Sequence, residues 1–218
     1  MRGGLVIFDL DGTLLDTLDD LCCALNFALS KNGFAERTRD EVRDFVGNGI
    51  AKLVLRGMGS MADSEAFDRV YSDFCSYYAE HLCDRTHPYE GITALLCKLK
   101  KSGCKIAVVS NKADFALKRL CKVHFDGLLD ACLGAREDMP KKPAPDMILH
   151  VIKELGAEFQ STVYVGDSEV DIAASGNAGL RCIAVDWGFR ERDLLLRCGP
   201  LCVCSCCDEL YEAITKQI

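Results

Sequence analysis

Positive charge is in short supply in this sequence, where 26 Lys and Arg stand against 33 Asp and Glu, a formal net charge of -7. A nucleic-acid surface needs a basic patch, so that class of partner is disfavoured. Long apolar runs are missing too, and none approaches the length that spans a bilayer. The opening MRGGLVIFDLDG brings in aspartate by position nine, too short and acidic for a secretory leader. The expectation is a cytoplasmic protein with no membrane and no nucleic-acid partner. Histidine occurs only at His81, His87, His124 and His150, in no ligand spacing. There is no internal repeat and no low-complexity linker.

Cysteine, by contrast, is plentiful. The fourteen residues make up about 6% of the chain, below the roughly 8–10% of a small disulfide scaffold. Reduced thiols of this kind serve mostly as small buried apolar side chains. The C-terminal Cys198, Cys202, Cys204, Cys206 and Cys207 depart from C-x₂-C pairs and have no nearby histidine to complete a common zinc set. On a strand, Cys202, Cys204 and Cys206 would share one face.

The 218 residues, 49% of them apolar, suffice for one sizeable core plus a small second domain. The stretch Leu5 to Thr17, LVIFDLDGTLLDT, organises the rest. Leu5-Val6-Ile7-Phe8 lies between Gly3-Gly4 and an Asp-Gly pair, which predicts a strand buried on both faces. Asp9 and Asp11 stand at its carboxyl end. Residues two apart on extended backbone point the same way, and that edge of an open α/β sheet is where ligands bind. Gly12 permits a sharp turn, and Thr13 offers a hydroxyl to tie the loop down.

The segment DLDGTLLDT resembles the first motif of the haloacid dehalogenase superfamily, DxDGT followed by a hydrophobic turn. Three later stretches resemble the remaining motifs, in the family's order. Ser110, with Asn111 and Lys112, follows a second apolar strand, where a hydroxyl and an amide can bond phosphoryl oxygens beside a helix start. Lys142, in KKPAPD, matches the family's lysine, with Lys141 and Lys112 as alternative cations. Asp167 and Asp171, in GDSEVD, match GDxxxD; four residues apart, they can face one point.

From Asp16 the pattern turns helical. Leu18, Leu21, Cys22, Leu25, Ala28 and Leu29 mark one helix, and Thr38 to Glu41 form a capping-box signature for the next. Gly47-Asn48-Gly49 interrupts before Ile50, Leu53, Val54 and Leu55. A long helix from about Ser64 to Leu82 turns Phe67, Val70, Tyr71, Phe74 and Tyr78 inward. Residues 16–86 are therefore expected to form a small all-α cap domain. After a hinge at His87 to Gly91, strands at Lys105–Ser110, Ala131–Ala135, Thr162–Gly166, Arg181–Asp186 and Leu201–Ser205 alternate with helices. Such alternation implies a doubly wound parallel sheet. Residues 1–15 and 87–218 are expected to form this Rossmann-like α/β core.

The resemblance implies a Mg²⁺-dependent phosphatase. Hard carboxylate oxygens suit Mg²⁺, which Asp9, Asp11 and Asp167 would hold, with Asp171 behind them. Asp9 would be the nucleophile that becomes an aspartyl-phosphate. Asp11 would be the general acid and base, and Ser110, Asn111 and Lys142 would bind the phosphoryl group. Four converging carboxylates against one Mg²⁺ and Lys142 leave one surplus negative charge, which raises a carboxyl pKa and suggests that Asp11 carries the leftover proton. The cap would close over the strand tips and exclude water.

Val46-Gly47-Asn48-Gly49 and the motif spacing resemble phosphoglycolate phosphatases. Glycines there can present backbone N–H groups to an anion; Arg43, Lys52 and Arg56 are candidate carboxylate contacts. The partner would be a small phosphorylated metabolite, and the protein a monomer or homodimer. Pyrophosphate, nucleoside monophosphates and sugar phosphates stay open as substrates, and a phosphomutase of the β-phosphoglucomutase kind would share all four motifs.

Overall fold

The computed structural model describes residues 3–61 and 63–218. The apolar run Leu5–Phe8 is strand β1, with every side chain fully buried. After β2 (Leu15–Asp16) come helices α1 (Leu18–Lys31), α2 (Arg39–Phe45), α3 (Ile50–Met58) and α4 (Ser64–His81). β3 (His87–Pro88) and α5 (Ile92–Lys101) lead to β4 (Lys105–Ala113), α6 (Asp114–Phe125) and β5 (Ala131–Ala135). Then follow α7 (Asp146–Glu154), β6 (Thr162–Gly166), α8 (Glu169–Asn177) and β7 (Arg181–Val185). α9 (Arg192–Arg197), β8 (Cys202–Cys204) and α10 (Cys207–Thr215) complete the chain.

Among the described residues the main sheet has six strands in the order β5-β4-β1-β6-β7-β8, with each neighbouring pair parallel. The chain steps outward from β1 to β4 and β5, then returns to the other side of β1 for β6, β7 and β8. This reversal defines a doubly wound, Rossmann-like α/β fold, and ligands bind at such a switch point. Register places the site. Phe8, the last residue of β1, pairs with Val108 of β4 and with Val165 of β6, so the register sets these three residues at one level. Asp9, Ser110 and Asp167 all lie within two residues of that level.

One layer of the core gathers Leu5 and Ile7 of β1, Ala107 and Val109 of β4, Met147, Ile148 and Val151 of α7, Tyr164 of β6 and Ala174 of α8. Odd-numbered residues of β1 thus face α7 and α8.

The chain divides into two compact units: the segment ending at Leu15 together with Pro88–Ile218, and Asp16–His87. The second unit is all helical apart from its terminal residues. Thr38 makes the capping box with Glu41 that opens α2, accepting from the Glu41 N–H. On α4, Val70, Phe74 and Tyr78 are buried, whereas Tyr71, expected inward, is 36% exposed and stacks on Phe67 with ring centroids 5.6 Å apart. Mutual stacking of the two rings replaces burial in the core.

All fourteen cysteines are free, and four of them, Cys104, Cys121, Cys182 and Cys204, are buried. The expected common face of Cys202, Cys204 and Cys206 is not fully covered. Only Cys204 is buried and Cys206 is exposed, because β8 is the sheet's last strand and ends at Cys204. No helix among the described residues is long and apolar enough to cross a membrane.

Candidate active site

Pairing with β6 continues one residue past β1, since the Asp9 N–H donates to Val165 O at 2.9 Å. Asp9 therefore keeps the parity of Leu5 and Ile7, and its side chain meets Lys142, from the loop before α7. Lys142 Nζ lies 2.9 Å from Asp9 Oδ1 and 2.7 Å from Asp171 Oδ1. It also donates to Tyr164 Oη at 2.9 Å and to Val109 O at 3.2 Å. Burial alone would lower the pKa of this lysine, but Asp171 and Asp9 outweigh it and hold the pKa well above the usual ammonium range. The buried Tyr164 hydroxyl is pushed up by desolvation and stays a neutral phenol.

Asp171 is fully engaged. Its Oδ1 accepts from Lys142 and from Tyr164 Oη (3.1 Å), and its Oδ2 accepts from Ser168 N (3.2 Å) and Ser168 Oγ (2.5 Å). Ser168 and Asp171 form the capping box of α8. A short helix signal thereby fixes a carboxylate that in turn orients Lys142.

Asp167 is held from two loops. Thr13 Oγ1 donates to Oδ1 at 3.1 Å and the Phe189 N–H donates to Oδ2 at 2.8 Å. Two glycines permit this approach. A Cβ on Gly12, whose φ is +85°, would sit 2.3 Å from Asp167 Oδ2, and one on Gly188 would sit 2.5 Å from the same atom. Trp187 Nε1 donates to Thr13 O at 3.1 Å and pins the loop from behind.

Asp9, Asp167 and Asp171 each bring a carboxylate oxygen within 4.8 Å of the others. Burial, then the neighbouring Asp171 and Asp11 charges, push Asp9 up to about 7, despite the pull of Lys142. Burial, Asp171 and Asp9 likewise hold Asp167 well above the carboxylate range. Asp9 Oδ1 is buried without an aligned hydrogen-bond donor, Lys142 reaching it as a charge rather than along a lone pair. A hard divalent cation fits this donor set. It would offset the burial and repulsion that otherwise keep protons on Asp9 and Asp167, and would draw on their oxygens rather than on those of Asp171, which are already engaged.

Asp11 turns elsewhere. Its Oδ1 accepts from Lys112 Nζ at 2.8 Å, in a pair whose side chains are 14% and 3% exposed. The two aspartates two residues apart thus have different partners, because β1 ends at Phe8 and strand alternation stops there. Counting Lys112 with Lys142, two ammonium groups face four carboxylates, and one divalent cation balances the remainder.

Ser110 is buried, and its Oγ accepts from the Lys112 N–H at 3.3 Å. Asn111 Nδ2 donates to Lys142 O at 3.0 Å, so this amide braces the lysine's backbone. In the helical unit, Gly47 and Gly49 have φ of 117° and 84°, and Gly49 precedes α3. Arg56 braces this loop, donating to Phe45 O (2.6 Å) and Asn48 Oδ1 (2.7 Å); Arg43 lies in the last turn of α2. The sequence offers no part for Tyr164, Gly188 or Phe189, and reads Trp187, after the strand ending at Asp186, as packing. The aromatic in an otherwise aliphatic TVYVG strand and the WGF run after β7 were the available signals.

A family model described as haloacid dehalogenase-like hydrolase matches residues 6–185. A phosphoglycolate phosphatase of Neisseria meningitidis is 34% identical over 220 residues, covering 97% of this chain and 94% of its own length. One from Aquifex aeolicus is 33% identical over 186 residues, covering 84% and 85%. Among solved structures, a protein of Lactobacillus delbrueckii subsp. bulgaricus, provisionally named a phosphoglycolate phosphatase, superposes with a TM-score of 0.92 at 35% identity. That match covers 98% of this chain and 99% of the other.

Proposed function

The chain belongs to the haloacid dehalogenase-like hydrolases, and from that premise we infer a Mg²⁺-dependent phosphatase of a small phosphorylated metabolite, phosphoglycolate first among the candidates. The observation that carries this reading is Lys142, shared at 2.9 and 2.7 Å between Asp9 at the tip of β1 and Asp171 on α8. Such an arrangement holds one carboxylate for attack and one ammonium for the group it attacks.

Asp9 attacks phosphorus, forming an acyl phosphate as the ester P–O bond breaks. Asp11, a carboxylate accepting from Lys112 Nζ in the substrate-free fold, would take up a proton with the substrate and give it to the departing alkoxide. As a carboxylate, it then takes a proton from the water that cleaves the acyl phosphate, releasing inorganic phosphate and restoring Asp9. Lys142 and Ser110 hold phosphoryl oxygens during both transfers. Asp9 and Asp167 would hold Mg²⁺, with Asp171 fixing Lys142 beside them. When bound, the ion neutralises charge on the phosphoryl oxygens and on the carboxylates.

The test is a panel of phosphate monoesters assayed with and without Mg²⁺, phosphoglycolate included. The reading expects Mg²⁺-dependent release of phosphate with phosphoglycolate among the best substrates. Absence of turnover on every ester in Mg²⁺ would overturn it.

A further inference from the structure

Lys112 is the second buried lysine at the carboxyl end of the sheet, and the phosphoryl-transfer steps leave it without a task. It does not arrive there by chance of a flexible stem. β4 runs on through Ser110, Asn111 and Lys112 to Ala113, with its pairing to β5 shifting between Val109 and Ala113. Ser110 and Lys112 lie two apart on this stretch, and the Lys112 N–H donates to Ser110 Oγ at 3.3 Å. Next to them β5 presses in at Gly134, where a Cβ would lie 2.7 Å from Lys112 O and 2.5 Å from Asp114 Cα. The Gly134 N–H also donates to Asp114 Oδ1 at 2.9 Å. The backbone that delivers Lys112 is therefore clamped from two directions.

Its ammonium lies 2.8 Å from Asp11 Oδ1, with only 3% of the side chain exposed. Lys142 already donates to Asp171, Tyr164 and the Val109 carbonyl, and faces Asp9 as a charge. An ammonium has three protons, so Lys142 serves the phosphoryl side and has nothing to give the leaving group. The leaving oxygen must come within hydrogen-bond distance of Asp11 to receive its proton. That puts Lys112 Nζ within about 5–6 Å of it, two hydrogen-bond lengths end to end. In a substrate, that reach covers substituents on the carbon bearing the ester oxygen. Of the two ammonium groups at this edge, Lys112 is the one beside Asp11, so an anionic substituent on the leaving-group side meets it first.

We propose that Lys112 is the specificity-determining residue of the core domain, binding the carboxylate of an O-phosphorylated 2-hydroxy acid while the ester oxygen sits at Asp11. The assignment deepens the phosphatase reading and rests on it. Phosphate esters of neutral alcohols lack the carboxylate and gain nothing from this contact.

The experiment compares kcat/KM for phosphoglycolate, ethyl phosphate and p-nitrophenyl phosphate in the wild-type protein and in Lys112→Met and Lys112→Arg, with Mg²⁺ present. Charged hydrogen bonds of this kind correspond to about ten- to hundredfold in kcat/KM. Because Lys112 also pairs with Asp11, Lys112→Met is expected to slow both alkyl esters, and phosphoglycolate by that factor more than ethyl phosphate, while Lys112→Arg recovers part of the preference. An equal loss on both alkyl esters would mean that Lys112 only positions Asp11, and would overturn the assignment, as would no loss at all. Should Lys112→Met fail to fold, the wild-type protein decides: glycolate must inhibit p-nitrophenyl phosphate turnover at least about tenfold more tightly than its neutral isostere glycolamide. Equal inhibition overturns the assignment. Wild-type turnover of p-nitrophenyl phosphate separates the two failures, since its absence sinks the phosphatase reading itself.

Discussion

Asp9 is the residue whose acidity bears most on the behaviour of the protein. An ordinary aspartate titrates near 3.8, whereas in the fold Asp9 is pushed up to about 7 by burial and by its acidic neighbours. Between those values the folded chain keeps a proton that the unfolded chain has released. Stability therefore falls as pH rises from about 4 to about 7, and the loss is complete above the folded pKa. Asp167, raised in the same direction, adds to the trend. A cation that binds the ionised carboxylates acts in the opposite sense and stabilises by mass action. Thermal melts of cation-stripped protein should show Tm falling between pH 5 and pH 8, a slope that Asp9→Asn flattens, and Mg²⁺ should raise Tm more at pH 8 than at pH 5. A wild-type slope no steeper than that of Asp9→Asn would contradict the assignment of the shift to this carboxyl.

At the scale of elements, a buried carboxylate also ties the helical unit together. Asp20 on α1 is 3% exposed, and it accepts from Arg85 N at 3.0 Å, Thr86 N at 2.9 Å and Thr86 Oγ1 at 2.8 Å. Asp20→Ala leaves those donors buried without an acceptor and should cost about 2–4 kcal/mol in denaturant unfolding. The neighbouring Asp19, whose side chain is 44% exposed beside Arg39, should cost less than about 1 kcal/mol when changed to Ala. The strands were the most legible elements. The apolar run of β6, buried along its whole length, marked that strand with the ends it has, since such a run needs no tertiary knowledge to be seen; β5, an edge strand only partly buried, also keeps its expected ends. β4 outruns its apolar stretch. The apolar stretch predicts a strand ending at Ser110, but strand continues to Ala113 and α6 starts at Asp114. What extends it is tertiary: Asn111 bonds Lys142 O and Lys112 pairs with Asp11, contacts across 31 and 101 residues that no local periodicity announces. The motif aspartates were visible by spacing. The division of partners between Asp9 and Asp11 was not, because it depends on where β1 stops and on which lysine each carboxylate meets.

For the whole molecule, topology does most of the positioning. Side chains of residues 9, 142, 167 and 171 come together because β1, β5 and β6 run parallel in one sheet and the segments after them leave from one edge, with Ser110 on β4 near the same level. The central claim is that this edge turns Asp9 into a nucleophile carrying a phosphoryl group. It is tested most directly by mixing the protein with Mg²⁺ and phosphoglycolate, quenching in acid within the first turnover, and mapping the phosphorylated peptide by mass spectrometry. The account predicts phosphate on Asp9, lost on warming to neutral pH as an acyl phosphate is, and none in Asp9→Asn, which does not turn over. Turnover that persists in Asp9→Asn, or phosphate trapped on another residue of the wild-type protein, would contradict it.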